Sequence, residues 1–129
     1  MPPSILILGD VMLDQYVWGE VRRVSPEAPV PVVRVCTRTH GLGGAGNVAA
    51  NLAGLKADAF LLGVCGDDSA GVRLRALIEA NGIRGSLSVD PSRKTTTKTR
   101  VMAQGQQLMR LDEEDSIPVS PSQIGRAHV

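Results

Sequence analysis

The sequence predicts an α/β fold with a parallel sheet. Three observations carry this: short continuous apolar runs recur along the chain, two segments between them space their apolar residues at a helical period, and Gly, Asp and Asn mark the changes of period. With 129 residues, 43% of them hydrophobic, the chain is long enough for one small domain with a buried core.

Each element follows from its residues. Ser4-Ile-Leu-Ile-Leu, closed by Gly9-Asp10, reads as a buried parallel strand. From Val11 to His40 the texture loosens: Tyr16-Val-Trp-Gly-Glu-Val alternates, and Val30, Val32 and Val33 stand among Pro26, Pro29 and Pro31. Prolines confine strands to edges, so two short strands projecting from the main body are expected. Gly41 to Gly46 is glycine-rich and leads into a helix, with Val48, Leu52 and Leu55 on one face and Ala49 and Ala53 beside them. Ala59 to Cys65 is a second buried strand. Gly66-Asp-Asp-Ser69 supplies a turn and a helix N-cap. Val72 to Ala80 is the second helix, with Leu74, Leu77 and Ile78 aligned, and Asn81-Gly82 stops it. Ile83 to Val89 returns as a strand. Lys94 to Met102 and Gln106 to Leu111 are further strands turned by Gly105. Past Asp112 the chain is polar, and Ser120-Pro-Ser-Gln leads into a helix. Ile124-Gly-Arg-Ala-His-Val129 continues no pattern and can be encoded by a common sequencing-adapter sequence, so residues 124–129 are expected to be a read-through scar.

Composition excludes several classes of function. Fourteen Lys and Arg against thirteen Asp and Glu leave a net charge of +1, which argues against a nucleic-acid binder. Three aromatic residues make no stacking platform for single strands. No apolar run reaches the roughly 20 residues of a membrane span. Two cysteines, Cys36 and Cys65, are too few for a disulfide scaffold and read as small packing residues, and a cytoplasmic location is the default.

Two motifs point to chemistry. Glycines Gly41, Gly43, Gly44 and Gly46 ahead of a helix let backbone approach a polar ligand, and a helix N-terminus favours anions and polar oxygens. Gly41, Gly43 and Gly46 also satisfy G-x-G-x-x-G, so a dinucleotide-binding module is an open alternative, as is a plain helix-entry turn. Asp10 and Asp14 follow an apolar strand, where α/β folds bind ligands, and such a carboxylate can accept two sugar hydroxyls. The plainer reading makes Asp10 a turn cap. His40 titrates near neutrality but alone makes no metal site, and Asp67 and Asp68 read as caps.

Gly43-Gly-Ala-Gly-Asn-Val-Ala49, followed by Gly66-Asp-Asp68, resembles the first signature of the ribokinase/PfkB carbohydrate kinases. Val24-Ser-Pro-Glu-Ala-Pro-Val-Pro-Val-Val33, Lys98-Thr-Arg100 and Gln106-Gln-Leu-Met-Arg-Leu-Asp112 are similar to the branch that acts on D-glycero-β-D-manno-heptose 7-phosphate, found alone or ahead of an ADP-transferase domain. The resemblance runs from about Ile5 to Asp112. It implies a ribokinase-like parallel-sheet sandwich, of which residues 1–123 are the N-terminal part, with a small β-lid from residues 16–37 and 94–111. It implies ATP-dependent phosphorylation of the anomeric hydroxyl to the 1,7-bisphosphate, for ADP-heptose and lipopolysaccharide core synthesis.

By resemblance Asp14 and Asn47 hold sugar hydroxyls and Gly43 and Gly44 bring backbone against the sugar. Arg93, Lys94, Lys98 and Arg100 form a basic cluster suited to the substrate's phosphate, for which Arg100 and Arg110 are the leading candidates, near Gln106 and Gln107. Another sugar kinase of the superfamily, or a sugar-phosphate binder without activity, stays open. ATP and Mg2+ are implied, bound mainly by a C-terminal half whose Gly-x-Gly-Asp motif does not occur here, so the chain alone is expected to be inactive and to expose an apolar sheet edge. A sugar-phosphate substrate and a homodimer through the lid are the implied partners, with neither nucleic acid nor membrane. Lys56 departs from the family's usual Gly at the first helix's end, where a left-handed C-cap is expected.

Overall fold

The computed structural model describes residues 1–126, so residues 127–129 of the predicted read-through segment lie outside it. The described residues run in the order β1 (Ser4–Leu8), β2 (Val11–Val24), β3 (Pro31–Gly44), α1 (Ala45–Gly54), β4 (Asp58–Gly66), α2 (Ser69–Ala80), β5 (Arg84–Asp90), β6 (Thr97–Ala103), β7 (Gln106–Glu113) and α3 (Pro121–Arg126). They build two sheets. One is parallel, ordered β1-β4-β5; the other is ordered β3-β2-β6-β7, with β2 and β6 parallel and the outer pairs antiparallel.

The parallel sheet is the expected α/β body. Side chains alternate across a strand, so one face of the sheet presents Ile7, Ala59, Leu61, Cys65, Leu87 and Val89. This face packs against Ala49 of α1 and against Leu74 and Ile78 of α2. Burying a Leu side chain contributes about 2 kcal/mol, so Leu61 and Leu74, at 1% and 0% exposure, anchor this layer. The predicted Asp68 cap is present: its carboxylate accepts the Gly71 N–H at 2.8 Å.

Five expectations need correction. β1 is parallel as predicted but not buried, with Leu6 and Leu8 at 63% and 77% exposure. Both helices α1 and α2 lie against the opposite face, and β1 is an edge strand of the parallel sheet. The helix face of Val48 and Leu55 points outward; Gly46 and Ala49 are the buried side of α1. Here the entry fixes the rotation of the helix. The Ala45 N–H donates to the Asp10 carbonyl at 2.8 Å and Gly46 backs onto Leu42 and Val11, so the small residues turn inward.

The two short strands expected between Tyr16 and Thr37 are instead two 14-residue strands, β2 and β3. The prolines do not interrupt them. They fall in the connecting segment, which the Ser25 N–H closes on the Val30 carbonyl at 2.8 Å, and Pro31 opens β3. The glycines Gly41 to Gly44 are strand rather than loop, paired with Asp14 to Val11. Finally, Cys36 is exposed on β3, whereas Cys65 is buried as expected.

Candidate functional site

Asp14 sits on β2 between Gly41 of β3 and Lys98 of β6. The alternation of strand side chains puts Asp14, Tyr16 and Trp18 on one face with Gly41 and Gly43, with Lys98 and Arg100, and with Arg110 and Asp112 of β7. A single sheet face therefore carries most of the residues singled out from the sequence.

At its centre Arg100 Nη1 stands 3.4 Å from Asp14 Oδ1, with both side chains 23% exposed. The contact is an ion pair without hydrogen-bond alignment, and both atoms are buried with no hydrogen-bond partner among the described residues. Buried polar atoms normally find partners, so this pair holds unspent donor and acceptor capacity. The Arg100 guanidinium lies over the Tyr16 ring, 5.4 Å from its centroid, and Tyr16 stacks on Trp18 at 5.9 Å and 17°. Trp18 Nε1 donates to Thr39 Oγ1 at 3.3 Å, tying the stack to β3. The aromatic pair holds the guanidinium plane while leaving its edge available.

Backbone closes one side of this centre. A Cβ at Gly43 would fall 2.8 Å from Asp14 Oδ1 and 2.7 Å from Met12 Cγ, so only glycine leaves the carboxylate where it is. Gly44 has φ +56°, and a Cβ there would overlap the Asp10 carbonyl oxygen. Here β3 turns into α1 with no side-chain cap, leaving the helix N-terminus open beside Gly43. Asn47 is exposed in the first turn of α1.

Arg110 and Lys98 belong to a separate cluster. Asp112 accepts Arg110 Nε at 2.8 Å, Arg110 Nη2 at 2.9 Å and Lys98 Nζ at 3.3 Å. The Arg110 hydrogen bond, outweighing partial burial and joined by Lys98, holds the Asp112 carboxyl below its ordinary value. Arg110 lies directly across from Arg100 in the β6–β7 register. Gln106 pairs with Ala103 near the hairpin tip, where the structure does not bring it to the Asp14–Arg100 pair.

Arg93 leaves the basic cluster altogether. Its guanidinium binds Asp90 at 2.9 Å and the carbonyls of Ile117 and Pro118 at 2.9 and 3.3 Å, fastening the chain between the sheets. Asp90 is held well below the usual carboxylate range by hydrogen bonds from Ser92, Gln123 and Arg93. Asp68 does more than cap α2: it also accepts the Thr95 N–H at 2.9 Å and Thr95 hydroxyl at 2.6 Å. Burial alone would raise the Asp68 pKa, but these bonds and the one from Gly71 lower it. Among the described residues no three His, Cys, Asp or Glu side chains converge to hold a metal ion, and no helix is long and apolar enough to cross a membrane.

Sequence reasoning missed the Tyr16–Trp18 platform and the Asp112 acceptor. A period-two reading of Tyr16-x-Trp18 and of Arg110-x-Asp112 carries the signal for both. The dinucleotide reading of Gly41 to Gly46 loses its context, because the strand ahead of α1 is antiparallel to its neighbour and belongs to the four-stranded sheet.

The family model described as pfkB family carbohydrate kinase matches residues 3–123. A Caulobacter vibrioides protein named bifunctional protein HldE is 52% identical over 116 residues, 89% of this chain and 24% of that protein. The D-beta-D-heptose 7-phosphate kinase of Bordetella bronchiseptica is 52% identical over 110 residues, 85% of this chain and 35% of that protein. The chain thus spans about a quarter to a third of the length of these relatives. Among solved structures, a carbohydrate kinase from Agrobacterium tumefaciens superposes with TM-score 0.71 at 21% identity, over 86% of this chain and 35% of that one. Arabidopsis thaliana ribokinase complexed with ribose and ATP gives TM-score 0.64 at 24% identity, over 87% and 36%. These two likenesses establish the ribokinase-like fold.

Proposed function

This chain belongs to the pfkB family of carbohydrate kinases, and from that premise we propose that it is the sugar-binding part of an ATP-dependent heptose 7-phosphate kinase. The observation that carries the reading is the Asp14–Arg100 pair, buried and short of hydrogen bonds beside a glycine backbone. A carboxylate with free lone pairs accepts vicinal sugar hydroxyls, and a guanidinium edge grips a phosphate through two parallel hydrogen bonds. The two groups side by side suit a sugar that already carries a phosphate. The names of the heptose kinase relatives support the same substrate class.

In this reading Asp14 orients the sugar ring, and Gly43 and Gly44 let backbone lie against it. Asn47 offers both a donor and an acceptor to a further hydroxyl from the open end of α1. Arg100 holds the phosphate, with Arg110 opposite it as a second cation, and Gln106 at the hairpin tip takes no part. The four-stranded sheet, strands 16–37 and 94–111 included, acts as the lid and as the surface of a homodimer in the cytoplasm. Nucleotide and Mg2+ are assigned no side chain in residues 1–123; ATP supplies the phosphoryl group, which the metal helps to neutralise. The chain's own residues bind and orient the acceptor, and the anomeric hydroxyl is the position left for phosphorylation to the 1,7-bisphosphate.

The test is a phosphotransfer assay with MgATP on the full reading frame that carries this chain, using heptose 7-phosphate and a panel of neutral pentoses and hexoses. Turnover confined to the phosphorylated sugar, with Arg100→Gln raising its KM at least about ten-fold, is expected. Preference for a neutral sugar, with Arg100→Gln silent, would favour a different sugar kinase of the same family.

A further inference from the structure

The reverse face of the four-stranded sheet carries a second concentration of unspent charge. We propose that the cleft between this face and the N-terminus of α2 is an anion-binding site that takes a phosphoryl group, separate from the Asp14–Arg100 centre. The cleft holds about 400 Å³, and Gln15, Arg38, His40, Arg73 and Lys94 contribute to its walls. Gln15 and His40 face each other across the β2–β3 pair, one residue out of phase with Asp14, so they occupy the opposite side of the sheet.

Three features converge. Arg38, Arg73 and Lys94 have no carboxylate partner among the described residues, whereas Arg84, Arg93, Lys98 and Arg110 each have one. Two carboxylates border the cleft, Asp68 and Glu113. Asp68 stays ionised while it accepts from Gly71 and Thr95, so three cations stand against two carboxylates. Ser69 and Ala70, the first residues of α2, complete the wall beside the Asp68 cap.

His40 is set to donate. Arg73 Nη1 lies 3.4 Å from His40 Nδ1, and a guanidinium has no acceptor, so Nδ1 accepts and the ring proton resides on Nε2. Burial, then the charges of Arg73 and Arg38, hold the imidazole below its ordinary value. The same positive field attracts a dianion, and an anion in the cleft would reverse it.

His40 therefore reports on occupancy. The experiment follows its ring resonance by NMR in the full reading frame, during titration with inorganic phosphate, with ATP, and with chloride at matched ionic strength. To silence the other site, the protein carries Arg100→Gln. Saturable phosphate binding that moves the His40 titration to higher pH is expected, with about ten-fold weaker binding in Arg38→Gln or Arg73→Gln. Tighter binding of ATP than of phosphate would assign the site to a nucleotide, and equal binding to the phosphoryl group alone; both support it. An equal response to chloride, or an unchanged phosphate affinity in both arginine variants, would overturn it. A shift lost in the otherwise native protein when Arg100 is replaced would transfer the anion to the Asp14–Arg100 centre and overturn it as well.

Discussion

The parallel sheet and the four-stranded sheet are held together by different physics. Behind the first lie Leu61, Cys65, Leu74 and Ile78, closed into one apolar layer by α1 and α2. Val11 and Leu13 of the second sheet join that layer, but beside Val17 and Ala103 its other buried positions and its approach include Thr95, Thr97 and Thr99. Its side chains meet through ion pairs: Asp14 with Arg100, and Asp112 with Lys98 and Arg110. Apolar burial is non-directional and indifferent to pH, whereas paired charges are directional and titrate. The first sheet supplies a platform, and the second places polar groups at fixed spacing with capacity to spare. Leu6 and Leu8 are exposed on the side of the platform that α1 and α2 do not cover.

This contrast can be broken at its apolar end first. Leu74→Ala removes a fully buried side chain from the α2 interface and is expected to cost about 3 kcal/mol in denaturant unfolding. A loss under about 1 kcal/mol would mean that the layer relaxes around the gap and is not the platform described.

Acid should act on the other end. Asp68, Asp90 and Asp112 all have carboxyls below their ordinary values, so each stabilises the fold above the unfolded carboxylate pKa of about 4. That contribution is lost as pH falls through the lower folded values. His40 behaves the same way at higher pH: its folded pKa is lowered, so the unfolded chain takes up the proton first below about pH 6.5 and stability declines there too. Thermal melts are expected to fall in two stages on acidification, and His40→Asn should remove the upper stage alone. A flat profile down to about pH 4 would contradict the His40 assignment.

The smallest expected effect lies at the end of α1. Lys56 has φ +66°, a left-handed conformation that costs a side-chain-bearing residue about 1 kcal/mol. Lys56→Gly should raise the unfolding midpoint by a corresponding amount, and an unchanged midpoint would show that the strain is relieved locally.

The platform was the more legible region. Helical spacing at Leu74, Leu77 and Ile78 and the Asp68 cap follow from local rules that the structure obeys, and the left-handed Lys56 matches what the family resemblance implied. The rotation of α1 was not legible, because a long-range bond from Ala45 to Asp10 overrides the apparent face of Val48 and Leu55. The length of β2 and β3 was hidden for a similar reason. Pairing across 13 positions stabilises polar residues such as Arg34 to His40 as strand, although no apolar alternation marks them. At the site, Asp14 and Gly43 could be named from sequence, but their contact with Arg100 depends on β6 joining β2 in parallel register. Arg93 was misplaced in the basic cluster because its partners, Asp90 and the carbonyls of Ile117 and Pro118, are fixed only by the tertiary fold.

The most direct test of the central claim is calorimetric titration of the full reading frame with heptose 7-phosphate, comparing the native protein with Asp14→Asn and Arg100→Gln singly and together. The account predicts losses of at least about ten-fold in each single variant, and a double variant weaker than either but short of additive, because each group orients the other. Native affinity in both single variants would contradict it, since the sugar phosphate would then bind away from the face that carries Asp14, Gly43 and Arg100.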